Sequence, residues 1–594
     1  MPLILRKNGL FGAVGPGMLH GGGRRPGGGH RRPPHRRSDM TRLFFGRVLG
    51  VLGLVAASCF GQEAGGPRSI PHDQPILVDG QLVFPDGAEI PRFLTEAERR
   101  YLATNPLAPE RGTRGAPVGN IYCVPEYDPM ESILISWEGS SAQKTILAEM
   151  AKHITTTGDA DLHVAIDTSG AIPAAQATLS AAGTDMSRVR FFVRTMDTIW
   201  IRDYGPRYVY RNGVRAIIDH TYNRPRPNDN AFNGFYAQQR GHEYYIIPLV
   251  HGGGNYHLSA LGDSYATKLI ENENPTLSKA QIVGYWQDYQ NVLTEITPAF
   301  PTNVDLTQHI DMWLIVIGDR EVIISDWPLA PGSTQDVICD NQAASMAAAG
   351  YTVHRIPAVT SGGVHYTFTN SVICNDLVLV PTYTNATAAQ YNADALAVWQ
   401  AAMPDKTVVQ VNCQGIVNLA GVMHCIVMHV PPSLGGENPV ASIDEPNGGE
   451  AYAKGQQAEV RWASDDNDLT YYVQIHLSTD GGQTFNTVLT NFHPDTGTFT
   501  WTVPNVDTAK ARIRVIVHDF DGNTGQAISE ADFTIGDPTC PADFNGDTVV
   551  NTLDFVAFLN AFASSDPKAD FNGDTVVNSL DFVAFLNAFV AGCP

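Results

Sequence analysis

The apolar run Ser132-Ile-Leu-Ile-Ser136, followed by the helical stretch Ser141–His153, sets the architecture of the centre of this 594-residue chain. A short continuous apolar run between turn residues reads as a buried strand, and a longer stretch with apolar side chains three and four apart reads as a helix. The same alternation continues outward. Val189-Arg-Phe-Phe-Val, Leu314-Ile-Val-Ile, Leu377-Val-Leu-Val and Val408-Val-Gln-Val are further strands, and Thr387–Met403 is a further helix. Residues 119–433 are therefore expected to form an α/β domain.

The flanks differ from this centre. Residues 1–39 are rich in Gly, Arg, Pro and His without apolar periodicity, and read as a non-native or removed extension. Residues 40–61 have a basic start, an apolar run from Val48 and then small residues, the pattern of a signal peptide. The run is shorter than the ~20 residues that a membrane span needs. Residues 62–118 are rich in Pro, Gly and charge and read as a linker or pro-region. Thr95-Glu-Ala-Glu within them is a helix-capping signal. Residues 438–537 carry short alternating strands punctuated by Gly, Asn and Pro, which predict an all-β sandwich.

Charge narrows the partners. The formal net charge is −22, but residues 1–47 hold ten Lys and Arg against Asp39 alone. The remainder has 29 basic and 60 acidic residues, a balance of −31. Such a body repels phosphate, which excludes a general nucleic-acid binder and suits a cationic or peptide substrate. The expected location is exported, at the cell surface or outside the cell, with the periplasm as the other compartment. The eight cysteines include no CxxC pair, so no clustered metal site is expected from them.

The tail, residues 540–594, repeats itself. The stretch Ala542–Phe562 recurs 27 residues later as Ala569–Phe589. In each copy oxygen-bearing side chains fall at loop positions 1, 3, 5, 9 and 12. They are Asp543, Asn545, Asp547, Asn551 and Asp554, then Asp570, Asn572, Asp574, Asn578 and Asp581. That spacing wraps a loop around a hard cation with six to eight oxygen ligands, so two structural Ca²⁺ ions are expected. The repeat resembles the dockerin type I family, whose membership implies a surface or cohesin-like partner. Thr548 and Thr575 stand where such loops normally carry Gly, and Cys540 and Cys593 flank the pair.

Within the α/β domain four clusters bear reactive side chains: Trp200-Ile-Arg-Asp203-Tyr-Gly-Pro, His309-Ile-Asp311, Thr369-Asn370-Ser and His424-Cys425. Singly, each has an ordinary structural explanation. Together with Val124-Pro-Glu-Tyr-Asp-Pro-Met-Glu and His251-Gly-Gly-Gly-Asn-Tyr, their order resembles the Porphyromonas-type peptidylarginine deiminase and agmatine deiminase family of the guanidino-group modifying superfamily. The resemblance implies a five-bladed α/β propeller (pentein) with the substrate at its centre. The later β-sandwich resembles the immunoglobulin-like modules of secreted bacterial enzymes.

Guanidine chemistry needs these residue types. Two carboxylates, Asp203 and Asp311, can clamp the N–H groups of a delocalised cation. Cys425 is the expected nucleophile, its thiol pKa lowered by the bound guanidinium. His309 is the expected acid and then base, and Asn370 matches a further active-site residue of the family. No catalytic cofactor is expected. His424 is expected to face away from Cys425, as neighbouring strand residues do. Trp200 matches the aromatic residue beside the bound arginine, and Arg224 and Arg226 match the pair that grips a substrate's C-terminal carboxylate. Leu306 stands where near family members would carry Tyr. The expected activity is hydrolysis of peptidyl arginine, preferentially C-terminal, to citrulline and ammonia. The alternatives are agmatine or another small guanidine as substrate, or an inactive surface-binding protein.

Overall fold

The computed structural model describes residues 73–591, except 79, 86–87, 537–539 and 548. The expected extension, the signal peptide, Thr548 and Cys593 lie outside the described residues. A mixed α/β region is followed by a β-rich region and a small helical one.

The α/β region holds five separate sheets built to one plan. Arg207–Arg211 and Val214–Tyr222 form an antiparallel hairpin, the helix Phe232–Arg240 crosses over, and Glu243–His251 returns parallel. Asn212-Gly213 makes the hairpin turn, both residues with positive φ (51° and 89°), the combination that matches the twist of a two-residue loop. The same hairpin, helix and parallel strand recur with Lys279–Gln290, Thr334–Ala348 and Asn392–Ala402 as crossovers. In the remaining sheet the hairpin's place is taken by distant strands. Met428–Val430, at the end of the region, pairs antiparallel with Ser132–Ser136 near its beginning. This closure carries Cys425 back beside the first elements.

The inner strands are buried on both faces, as expected of sheets covered by helices; every residue of Ser132–Ser136, Arg207–Arg211 and Val214–Tyr222 is buried. Cys123, Cys339, Cys374, Cys413 and Cys425 are all buried free thiols. Burial pushes the first three up to about 12, which makes them inert core residues.

The β-rich region packs a three-stranded sheet against a six-stranded one. Thr508–Asp519 alternates buried and half-exposed along its latter part, placing Ile513, Val515 and Val517 in the core with Trp462, Val473 and Phe533. This region is tied to its neighbour by charge. The buried Arg215 guanidinium donates to Asp465 at 2.8 and 3.0 Å, to Glu131 at 2.7 Å and to the carbonyls of Pro431 and Asp466. In the tail, the helices Thr552–Ala563 and Ser579–Ala591 stack Phe558 on its repeat equivalent Phe585, ring centres 4.1 Å apart. Cys540 is disulfide-bonded.

Replacing Arg215 with Met leaves the fully buried Asp465 without its cation. The expected loss is about 3–5 kcal/mol, measured as a fall in the unfolding midpoint of the full chain.

Candidate active site

The five expected catalytic side chains come together, and they do so around Arg92, an arginine of the expected linker or pro-region. Arg92 is fully buried. Its Nε and Nη2 donate to the two oxygens of Asp203 at 2.9 and 2.7 Å. Its Nη1 and Nη2 donate to the two oxygens of Asp311 at 3.1 and 2.9 Å. Nη1 lies 2.7 Å from Cys425 Sγ, and Nη2 lies 2.8 Å from His309 Nδ1. Planar fork geometry of this kind is what a carboxylate pair offers a guanidinium.

Each member is aimed by local structure. Asp203 sits in the one-turn helix Ile201–Tyr204, and its carbonyl accepts from Gly253 N at 2.8 Å. Asp311 lies in the 3₁₀ turn Ile310–Met312, entered through Gln308 at φ 59°. A left-handed residue other than Gly is a sign of imposed geometry, and here it turns His309 toward Asp203. Asn370 donates to the Asp311 carbonyl at 3.1 Å, and its Oδ1 accepts from His424 N and Cys425 Sγ, both at 3.2 Å. The glycine-rich turn forms a wall of the site. A Cβ at Gly254 would fall 1.9 Å from Arg92 Nη2 and 2.7 Å from Asp311, so only glycine leaves room for the cation. A Cβ at Gly421 would fall 2.7 Å from the Trp200 ring and 3.0 Å from Cys425 Sγ.

Electrostatics follow from burial and pairing. Burial disfavours the charge of Asp203 and Asp311, but Arg92 together with His309, and at Asp311 also His424, holds both below the usual carboxylate range. Cys425 goes the other way. Burial pushes its thiol well up, and Asp311 and Asp203 add to this, so the downward pull of Arg92 does not prevail. The expected lowered thiol is thus corrected in this state, because desolvation exceeds one cation's attraction.

For His424 the expected strand alternation does not hold, and its ring contacts are with Asp311 and Glu126. It lies in a 3₁₀ turn, His424–Ile426, where the alternation of a strand does not apply. Its Nδ1 is 3.0 Å from Asp311 Oδ2 and its Nε2 is 2.8 Å from Glu126 Oε2. Glu126 also accepts from Arg202 at 2.6 Å, and Arg202 donates to the His424 carbonyl at 3.1 Å. This buried layer supports Asp311 from behind. Glu126 stood inside a quoted motif without a role, and its spacing alone gave none.

The expected substrate contacts meet the Arg92 segment. The Trp200 indole donates to the Ile90 carbonyl at 2.9 Å, Arg226 Nη2 to the Pro91 carbonyl at 2.8 Å and Arg224 Nε to the Arg92 carbonyl at 3.0 Å. Arg92 N donates to the Leu419 carbonyl at 3.0 Å. Arg226 does hold a carboxylate, but it is the side chain of Glu98, at 2.9 Å. Glu98 belongs to the helix Glu96–Thr104, where Thr95 and Glu98 complete the expected capping box.

In the tail the carboxylates of Asp543, Asp547 and Asp554 converge within 4.8 Å, as do those of Asp570, Asp574 and Asp581. Asp570 Oδ1 is buried without a partner. Three converging carboxylates and an unpaired oxygen fit a hard divalent cation. The asparagines are partly committed elsewhere. Asn551 and Asn578 accept from Leu553 N and Leu580 N as helix caps, and Asn545 and Asn572 accept from Asp547 N and Asp574 N. Each amide oxygen keeps a second lone pair.

The Porphyromonas-type peptidyl-arginine deiminase family model matches residues 122–431, just over half of the chain, and the dockerin type I domain model matches residues 541–589. A Vibrio parahaemolyticus protein bearing the agmatine deiminase name is 25% identical over 292 residues, 41% of this chain and 79% of that one. The agmatine deiminase of Ectopseudomonas mendocina is 24% identical over 319 residues, 44% of this chain and 83% of its own. The solved agmatine deiminase of Enterococcus faecalis is 20% identical, covering 53% of this chain and 99% of that chain at a TM-score of 0.46.

Two substitutions check this geometry. Gly254→Ala is expected to raise KM for a guanidine substrate at least roughly tenfold, because the methyl occupies the cation's place. Thr575 sits at φ 71° with its N–H donating to Asp570 at 2.8 Å, a strain of about 1 kcal/mol that glycine relieves. Thr575→Gly is expected to raise the unfolding midpoint of the tail by the equivalent of about 1 kcal/mol.

Proposed function

The chain belongs to the Porphyromonas-type peptidyl-arginine deiminase family, and on that footing we propose that it hydrolyses the guanidinium of arginine within peptides to citrulline and ammonia. One observation carries the reading beyond the family. The guanidinium held between Asp203 and Asp311 belongs to a polypeptide whose carbonyls at residues 90, 91 and 92 are taken up by Trp200, Arg226 and Arg224. Agmatine has no such carbonyls and would leave these donors unmatched.

In the proposed mechanism Asp203 and Asp311 fix the substrate cation and present its central carbon to Cys425. Sγ forms a bond to that carbon. His309 protonates the nitrogen beside it, where Arg92 Nη2 lies, and ammonia leaves. His309 then takes a proton from water, which attacks the S-alkylthiouronium carbon. The carbon–sulfur bond breaks, giving the ureido product and the free thiol. Asn370 orients Cys425 through its Oδ1 and Asp311 through its amide. Burial holds the Cys425 thiol up even with a guanidinium beside it, so the reaction is expected to accelerate as pH rises and the thiolate fraction grows.

A substrate ending in arginine would bring its terminal carboxylate to Arg224 and Arg226, where the Arg92 carbonyl and the Glu98 carboxylate sit; this supports a preference for C-terminal arginine. The names of the curated relatives favour agmatine as the second reading. The five sheets, four of them hairpin–helix–strand and the fifth closed by Met428–Val430, support the five-bladed propeller, the two-sheet region an immunoglobulin-like module, and the tail's acidic loops two structural Ca²⁺ ions. A dockerin-like tail supports a cohesin-type partner and a place at the cell surface or outside it. Among the described residues no helix is long and apolar enough to cross a membrane.

Ammonia and citrulline release from a C-terminal-arginine peptide, measured against agmatine, tests the substrate. Cys425→Ala is expected to lower turnover at least roughly a thousandfold. Arg226→Ala is expected to cost about 2 kcal/mol, roughly thirtyfold in kcat/KM, for the peptide and nothing for agmatine. Equal effects on both would overturn the carboxylate grip.

A further inference from the structure

Resting on the reading of this site as a peptidyl-arginine deiminase, we propose that Arg92 is a self-modification site: the enzyme's first substrate is its own Arg92, and converting it to citrulline opens the site to other peptides. The observations are of two kinds. Arg92 occupies the carboxylate clamp as a substrate guanidinium would, with its Nη1 2.7 Å from Cys425 Sγ and its Nη2 2.8 Å from His309 Nδ1. The segment around it also closes the site. Pro91, Arg92 and Phe93 are buried, and an ion pair between Arg226 and Glu98, with side chains 1% and 0% exposed, pins the following helix. No second guanidinium fits between Asp203 and Asp311 while Arg92 is there.

The tether makes this occupant hard to displace. A ligand in the same chain meets its site at an effective concentration far above that of a dissolved peptide. Dissociation also strips two fully buried carboxylates of their cation, which is costly. Chemistry removes that hold. Sγ of Cys425 bonds to the Arg92 central carbon, and the bond from that carbon to a terminal nitrogen breaks. That nitrogen leaves as ammonia with the proton from His309. Water adds to the carbon, the carbon–sulfur bond breaks and the thiol recovers its proton. The sum is guanidinium plus water giving a ureido group plus ammonium, with no oxidant or reductant. Citrulline at 92 is neutral, so the ion pairs to Asp203 and Asp311 are lost, and the segment keeps the Arg226–Glu98 pair, its main-chain contacts and the burial of Pro91 and Phe93.

The test uses the full chain. Peptide mapping with a protease that does not cut at arginine reads residue 92 in the wild type and in Cys425→Ala. We expect citrulline in the first and arginine in the second. Adding a trace of active Arg92→Ala chain to Cys425→Ala should leave its Arg92 unconverted, because the buried residue reacts only in its own molecule. Arg92→Lys keeps a cation that cannot be deiminated. Its peptide turnover is expected to be roughly a hundredfold below that of Arg92→Ala. Arginine persisting at 92 in a chain that deiminates added peptide overturns self-conversion and leaves the enzymatic reading standing. Arg92→Lys turning over peptide as fast as Arg92→Ala overturns the latch. A chain that leaves both Arg92 and every added guanidine intact overturns the enzymatic reading as well.

Discussion

Two carboxylates without exposed surface, Asp203 and Asp311, demand a cation between them. Buried charge is tolerated only when paired and hydrogen-bonded, and Arg92 satisfies both with four N–H···O contacts. Much of the surrounding arrangement serves this balance. Gly254 keeps the space open, Gly253 and His220 hold the Asp203 backbone, and Asn370 holds that of Asp311. Behind them Glu126 and Arg202 form a second compensated pair that reaches Asp311 through His424. The same desolvation that strengthens the clamp raises the Cys425 thiol, so the cation that fills the site is also the group that draws the thiol toward ionisation.

Residues 92, 203, 254, 309, 311, 370 and 425 arrive from different turns between strands and helices. The pairing of Met428–Val430 with Ser132–Ser136 closes the region on itself, and thereby brings His424 against Glu126 and Cys425 beside Asn370. A site gathered this way depends on the rigidity of the sheets beneath it and not on any one loop. The appended regions are built more locally. The β-rich region relies on alternating side chains and is tied on by Arg215, while the tail relies on its own duplication, Phe558 against Phe585.

Where local pattern governs, sequence reading reached the structure closely. Ser132–Ser136 and Val189–Val193 are strands as expected, the helix starting at Ser141 runs to Thr156, and the capping box at Thr95 starts a helix. The acidic positions of the two tail loops converge because a repeat with fixed spacing encodes its own geometry. The misreadings have a different character. His424 was judged by strand alternation, but a 3₁₀ turn replaces the strand there. The Cys425 thiol was judged by its partner's charge, but burial outweighs that charge. Arg92 lies in a stretch whose Pro, Gly and charge content reads as a linker or pro-region, which gives its side chain no place in the site.

By itself, the sequence determined the α/β, β and helical order of the chain, the catalytic residue types with their family, and the paired acidic loops, since each depends on side chains close in the chain or on a recognisable order of motifs. Tertiary structure alone decided what fills the site. Whether a charged residue stays in solvent or enters a dry pocket depends on partners more than a hundred residues away, and on the cost of leaving those partners unpaired. Neither is written in the composition around Pro91-Arg92-Phe93, which is why a segment that reads as a tether lies where a substrate belongs.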